Sequence, residues 1–197
     1  EKSNCSYIFG ESSREIFFKS HDNDFQNYLK NKTILITGSK GLVGTALVKW
    51  ILVQNEIKNI NTHIIGSTRN PAEIPEYIEA SDNIEYCRYG DELKLTQHID
   101  YIVCAASPTG NQYHMQHPVE TFRTNVDSTE KMLELMEKND NCSLIYLSSE
   151  EVYGLPSDDA PAMTEDMVGA IDSLNLRNCR RSLGSPLSIS PTTRRRP

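Results

Sequence analysis

Short apolar runs alternate along this chain with longer stretches whose apolar residues recur every three or four positions. The runs are Thr33–Thr37, Thr62–Gly66, Ile84–Arg88, Tyr101–Ala105 and Ser143–Leu147. Their length and their flanking turn residues predict strands. Tyr101–Ala105 is apolar enough to be buried on both faces. After the first run, Leu42, Val43, Ala46, Leu47, Trp50 and Ile51 predict a helix over Leu42–Gln54. Val119, Phe122, Val126, Thr129, Leu133 and Met136 follow helical spacing and predict a long amphipathic helix with those residues as its apolar face. Pro118 suits its first turn. Pro71–Ala80 reads as a surface helix or loop. Residues 1–32 form a polar lead-in, expected to hold a helix around Ser13–Leu29.

Strands alternating with helices predict an α/β domain over residues 33–179. The expected architecture is a Rossmann-type doubly wound parallel sheet with flanking helices and right-handed crossovers. Ligands in such sheets bind beyond the C-terminal ends of the strands. The unusual residue clusters of this chain lie at those ends. After Tyr153-Gly154 the pattern dissolves into a Pro- and Asp-rich stretch, Leu155–Gly169. Ser182–Pro197 has no helical period and too little apolar surface to order itself, so residues 180–197 are expected to be a disordered tail.

Composition narrows the class. The 197 residues suit one domain with a real core, or one domain plus part of another. An apolar content of 38% and a mean hydropathy of -0.50 suit a soluble protein. No apolar run is long enough to span a membrane, and no charged-then-apolar leader opens the chain. The first residue is Glu1 rather than Met, as in a fragment or processed form. Cys5, Cys87, Cys104, Cys142 and Cys179 are scattered and form no Cys-x-x-Cys pair. That argues against a disulfide framework or a metal site and for a reducing cytoplasm. Cys87 and Cys104 lie in apolar runs, as small buried hydrophobes do. The net charge of -7 hides an asymmetry. From Ser173 onward there are six Arg and no acid; the other 14 of the 20 basic residues face all 27 acids. An acidic body does not suit a nucleic-acid binder.

The richest chemistry lies in Thr37-Gly38-Ser39-Lys40-Gly41-Leu42-Val43-Gly44, between a strand and a helix. Strand, glycine turn and helix together suggest a dinucleotide site, with an ordinary glycine-rich βα turn as the alternative. Gly38 permits a sharp turn, Gly41 lets a pyrophosphate approach the backbone, and Gly44 lets the helix pack closely. The helix N-terminus offers N–H groups and a positive dipole end. Gly38, Lys40, Gly41, Leu42, Val43 and Gly44 are therefore candidate cofactor residues. An acid that holds the ribose hydroxyls usually ends the second strand. Here Ser67 stands there, with Arg69 close by. Arg69 can receive a 2′-phosphate or be a solvated loop charge, so NAD is expected and NADP is left open. Asp91, followed by Glu92, can meet an adenine amine or cap a turn. Ala105, Ala106 and Ser107 are small enough for a cofactor to approach, or for close packing. Asn125 is a poor helix former off the apolar face, suited to the cofactor side or to solvent. The fifth strand ends Ser148-Ser149-Glu150-Glu151-Val152-Tyr153-Gly154, a candidate acid–base cluster in Ser149, Glu150 and Glu151, of whose two adjacent acids one can be catalytic and the other merely solvated.

Together these segments resemble the extended short-chain dehydrogenase/reductase family, the NAD-dependent sugar epimerases and dehydratases. The resemblance runs from about Thr33 to Cys179. It implies a nucleotide-sugar substrate carrying UDP or dTDP, a polysaccharide-biosynthesis setting, and leaves a homodimer open. It also implies a reaction in which a hydride leaves the sugar C4 for NAD(P)+, with elimination or decarboxylation at the 4-keto stage. Ser149 matches the family's catalytic hydroxyl, four residues before the Tyr of Val-Tyr-Gly. Glu151 matches the functional Glu of the dehydratase and UDP-glucuronate decarboxylase branches. Glu150 stands where dTDP-glucose dehydratases place an Asp. The stretch Asp172–Cys179 looks most like the decarboxylase branch, where it leads into a catalytic Tyr-x-x-x-Lys. Here Arg180 and Gly184 occupy those two positions, and no Tyr or Lys follows Tyr153. The family's C-terminal substrate domain is expected to be lacking too. The expectation is an altered or truncated enzyme without turnover of its own. The alternative is a nucleotide-binding regulatory or scaffold protein.

Overall fold

The computed structural model describes residues 27–73, 75, 81–108, 111–149 and 153, without the side chains of 111 and 114. Several expectations fall outside these residues: most of the lead-in helix, most of Pro71–Ala80, Leu155–Gly169, the tail 180–197, and Glu150 and Glu151.

Among the described residues five strands form one parallel sheet: β1 (Thr33–Thr37), β2 (His63–Thr68), β3 (Ile84–Arg88), β4 (Tyr101–Cys104) and β5 (Ser143–Tyr146). The helices are α1 (Leu42–Lys58), α2 (Asn111–Gln116) and α3 (Pro118–Glu137), with a 3-10 turn at Glu92–Lys94. The strand order is β3-β2-β1-β4-β5. Every pairing is parallel, as the doubly wound reading requires. Thr37 is opposite Ser67 on one side and Cys104 on the other. The order reverses between β1 and β4, the switch point where doubly wound sheets bind ligands.

The chain divides into two compact units, Glu1–Ala106 with Lys131–Tyr146, and Ser107–Glu130 with Leu147–Pro197. The first holds the whole sheet. Strand pleating sends alternate residues to opposite faces, and each face has its own core. Ile34, Ile36, Ile64 and Val103 pack with Val48, Ile51 and Leu52 of α1. Leu35, Ile65, Ile102 and Cys104 pack with Met132 and Leu135 of α3. Full burial of each such side chain contributes about 1.5–3 kcal/mol.

The boundaries differ from the sequence expectation for local reasons. Helix α1 runs past Gln54 to Lys58 and ends on Asn59 in the left-handed region (φ 56°). Its polar Asn55 is buried and used. The Asn55 Nδ2 amide donates to the Thr62 carbonyl, and Oδ1 accepts the Thr62 N–H, each at 2.7 Å. Thr62 is thus held by a helix side chain, and β2 starts one residue later. β2 continues to Thr68 because β3 pairs with it as far as Arg88. β4 stops before Ala105 because Thr37 Oγ1 accepts the N–H groups of Ala105 and Ala106 at 3.1 and 3.2 Å.

The long helix α3 forms, but the expected apolar face is corrected. Val119 and Phe122 are exposed; Thr129 of the expected face is buried, and Thr121, Met132 and Leu135, outside it, are buried too. A Thr hydroxyl can bond the carbonyl four residues back and leave its methyl to pack. Thr121 donates to the His117 carbonyl and Thr129 to that of Asn125. Hydrophobic spacing included Thr129 and left out Thr121.

Candidate cofactor site

The glycine turn closes β1 into α1 at the sheet's centre. Gly38 has φ +66°, a conformation side chains resist. A Cβ there would also lie 2.8 Å from Ala106 Cα, so the turn and the segment after β4 touch backbone to backbone. The sequence left cofactor approach and close packing open for Ala106; the structure shows Gly38 and Ala106 as each other's neighbours. At Gly44 a Cβ would lie 2.2 Å from the Gly38 carbonyl oxygen and 2.8 Å from Ser39 Cα. The third glycine therefore lets the helix pack against its own turn. Gly41 caps α1 without a side-chain bond, and its N–H donates to the Gly38 carbonyl at 2.8 Å.

The first turn of α1 carries no acid. Leu42 is 91% exposed and Val43 is exposed beside it. The first N–H groups of a helix have no acceptor within it, so this end presents uncompensated donors and a positive dipole. Lys40 reaches away from that end. Its Nζ donates to the carbonyls of Asn70 (2.6 Å) and Glu73 and lies 5.3 Å from the Tyr86 ring centroid. It ties the segment after β2 to the glycine turn.

Ser67 and Glu92 meet each other, both buried. Ser67 Oγ donates to Glu92 Oε1, and the Gly90 N–H donates to Oε2 at 2.8 Å. Arg69 is exposed. Asp91 precedes the 3-10 turn, and Lys94 Nζ bonds its carboxylate at 2.8 Å. That hydrogen bond holds the Asp91 carboxyl below its ordinary range. Burial, then the Glu92 charge, push the Cys104 thiol up to about 12 and the Cys87 thiol to about 11.

In the second unit, Ser107 Oγ donates to Asn125 Oδ1 at 3.3 Å, and Asn125 is half-buried. Ser149 is half-buried as well. Sequence reasoning missed Thr37 and Ser39 as shapers of the site. Thr37 holds the two alanine N–H groups, and Ser39 donates both N–H (3.2 Å) and Oγ (3.1 Å) to the Ser67 carbonyl. The available signal was a pair of hydroxyls flanking Gly38.

The NAD dependent epimerase/dehydratase family, as a sequence profile, matches residues 34–173. The chain belongs to this family. One relative from it, UDP-glucuronic acid decarboxylase 1 of Danio rerio, is 30% identical over 149 residues, 75% of this chain and 34% of that protein. The chain thus spans about a third of that relative's length. An epimerase of Methanothermobacter thermautotrophicus superposes with a TM-score of 0.63 at 21% identity, covering 82% of this chain and 47% of the other. UDP-glucuronic acid 4-epimerase of Bacillus cereus, solved with NAD, gives 0.57 at 23% identity, covering 77% and 49%. These likenesses establish the family member's fold as that of the epimerases. Among the described residues no helix is long and apolar enough to cross a membrane.

Proposed function

We propose that this chain carries the cofactor-binding half of a nucleotide-sugar epimerase, dehydratase or decarboxylase, with NAD held at the Gly38–Gly44 turn. The carrying observation is the start of α1: a 17-residue helix at the sheet's switch point, with no acid in its first turn and exposed residues around its N-terminus. A pyrophosphate fits that end, because backbone N–H groups and the dipole both favour an anion there. The narrow spacing at Gly38 and Gly44 keeps the turn tight enough to present them.

Bound NAD supplies the hydride acceptor. In this reading Ser67, Arg69, Asp91, Glu92, Ala105, Ala106, Ser107 and Asn125 shape or line the cofactor's surroundings. Ser149 hydrogen-bonds the reacting sugar oxygen. Glu151 exchanges a proton with the substrate or orients it, beside Glu150. The decarboxylase relatives favour UDP-glucuronate as the substrate class, acted on by a protein of the cytoplasm.

A second reading has its own support. Arg180 and Gly184 stand at the two positions where the resemblance expects the catalytic Tyr and Lys. A nucleotide-binding protein without turnover fits that sequence. Calorimetric titration with NAD tests the shared premise. The parent chain is expected to bind, and Gly41→Val to lose at least about tenfold in affinity, because its side chain enters the pyrophosphate's approach. Equal affinity in the two sinks the site. Assays with UDP-glucuronate and dTDP-glucose separate the readings: turnover near 1 s⁻¹ or above, ordinary for an enzyme, removes the non-catalytic one.

A further inference from the structure

The end of β2 carries no acid of its own. It runs out as Ser67, Thr68 and the exposed Arg69, which by themselves would welcome a phosphate on the ribose. A carboxylate from another strand connection lies behind it. Glu92 is 1% exposed and takes Ser67 Oγ on one oxygen and the Gly90 N–H on the other. Gly90 has φ +96° with open space around it, so backbone conformation alone calls for glycine there. The Ser67 carbonyl accepts from Ser39. One buried polar chain therefore joins the glycine turn, the end of β2 and the turn after β3.

The hydrogen bonds from Ser67 Oγ and the Gly90 N–H fall on different oxygens of Glu92, so both ends of the carboxyl are tied. Among the described residues the ion pairs do not include Glu92, whereas its neighbour Asp91 is matched by Lys94. A charge in the interior is less screened than one in water and acts over a longer reach.

We propose that Glu92 sets the cofactor's identity: its buried negative charge beneath Ser67 opposes a 2′-phosphate, so the chain selects NAD over NADP in spite of Arg69. This rests on the dinucleotide reading above. A purely structural tie is separable from it. In Glu92→Gln the carbonyl still accepts the Gly90 N–H and the amide donates to Ser67 Oγ, so the ties persist and the charge goes.

The test is calorimetric titration of the parent chain, Glu92→Gln and Arg69→Gln with NAD and with NADP. The parent is expected to bind NAD about tenfold tighter or more. Glu92→Gln is expected to narrow that ratio by about tenfold, through tighter NADP binding, the order of one unit charge facing a phosphate. Arg69→Gln should keep or widen the preference. A parent that prefers NADP overturns the proposal, and this holds even where Glu92→Gln fails to fold. A folded Glu92→Gln with the parent's ratio overturns it while leaving the cofactor reading intact. A parent that binds neither dinucleotide overturns both.

Discussion

β1 and β5 are both short apolar runs, yet they live in different surroundings. β1 sits at the sheet's centre with a neighbour on each side, and Ile34, Leu35 and Ile36 are buried on both faces. β5 ends the described sheet, pairs with β4 alone, and alternates between half-buried and exposed. Leu144 and Tyr146 meet the α3 side, whereas Ile145 is 51% exposed and Leu147 is exposed after it. Similar hydrophobicity therefore yields a closed core at one place and an open face at the other. Position in the sheet, not composition, makes the difference.

The contrast predicts unequal costs for similar changes. Leu35→Ala removes a fully buried side chain between the layers and should cost about 2–5 kcal/mol, read from a denaturant midpoint. A cost under about 1 kcal/mol would mean that the centre is no better packed than the edge. Gly44→Ala should cost about 3 kcal/mol, since its Cβ meets backbone that cannot rotate away. An unchanged melting curve would show that the turn can open without loss. Ile145→Thr, at the open face, should stay within about 1 kcal/mol. A loss matching that of Leu35→Ala would show that this face is covered in solution.

The smallest expected effect concerns Asp100, which ties the two regions at the opposite strand ends. Its carboxylate accepts from Lys32 Nζ (2.8 Å) and the Thr33 N–H (2.9 Å), and its carbonyl accepts the Ser143 N–H. Burial pushes this carboxyl up, but the bonds from Lys32 and Thr33 and the Lys32 and His98 charges outweigh it and hold it below its ordinary value. A depressed carboxylate stabilises the fold above its unfolded pKa, about 3.9. That contribution is lost as pH falls through the folded value. The stability gap between the parent and Asp100→Asn should therefore shrink between pH 5 and pH 3, measured by urea unfolding. A gap independent of pH would assign the effect to hydrogen-bond geometry instead of charge.

Much of this molecule was legible in one dimension. Short apolar-rich runs bounded by turn residues named all five strands; the unbroken apolar middle of β1 reflects burial on both faces. Thr37–Gly44 named the turn, because few other residues tolerate its backbone and spacing. The face of α3 was misread at Val119 and Phe122, which are exposed, and at Thr121, which is buried with its hydroxyl satisfied by the His117 carbonyl; Thr129 of the expected face is buried. The helix expected over Leu42–Gln54 continues to Lys58, and the polar Asn55 within it is buried because Thr62 lies across from it.

What the chain determined alone was local: periodicity, turn chemistry and the order of elements, each set by neighbours within a few residues. What only the tertiary structure decided were the pairings between distant segments. No spacing rule links Glu92 to Ser67, Lys40 to Asn70, or Gly38 to Ala106. Those contacts exist because parallel strands from separate stretches end side by side. The same reason explains why two equally apolar strands differ so much in burial: neighbours are assigned by the fold and not by the residues on either side.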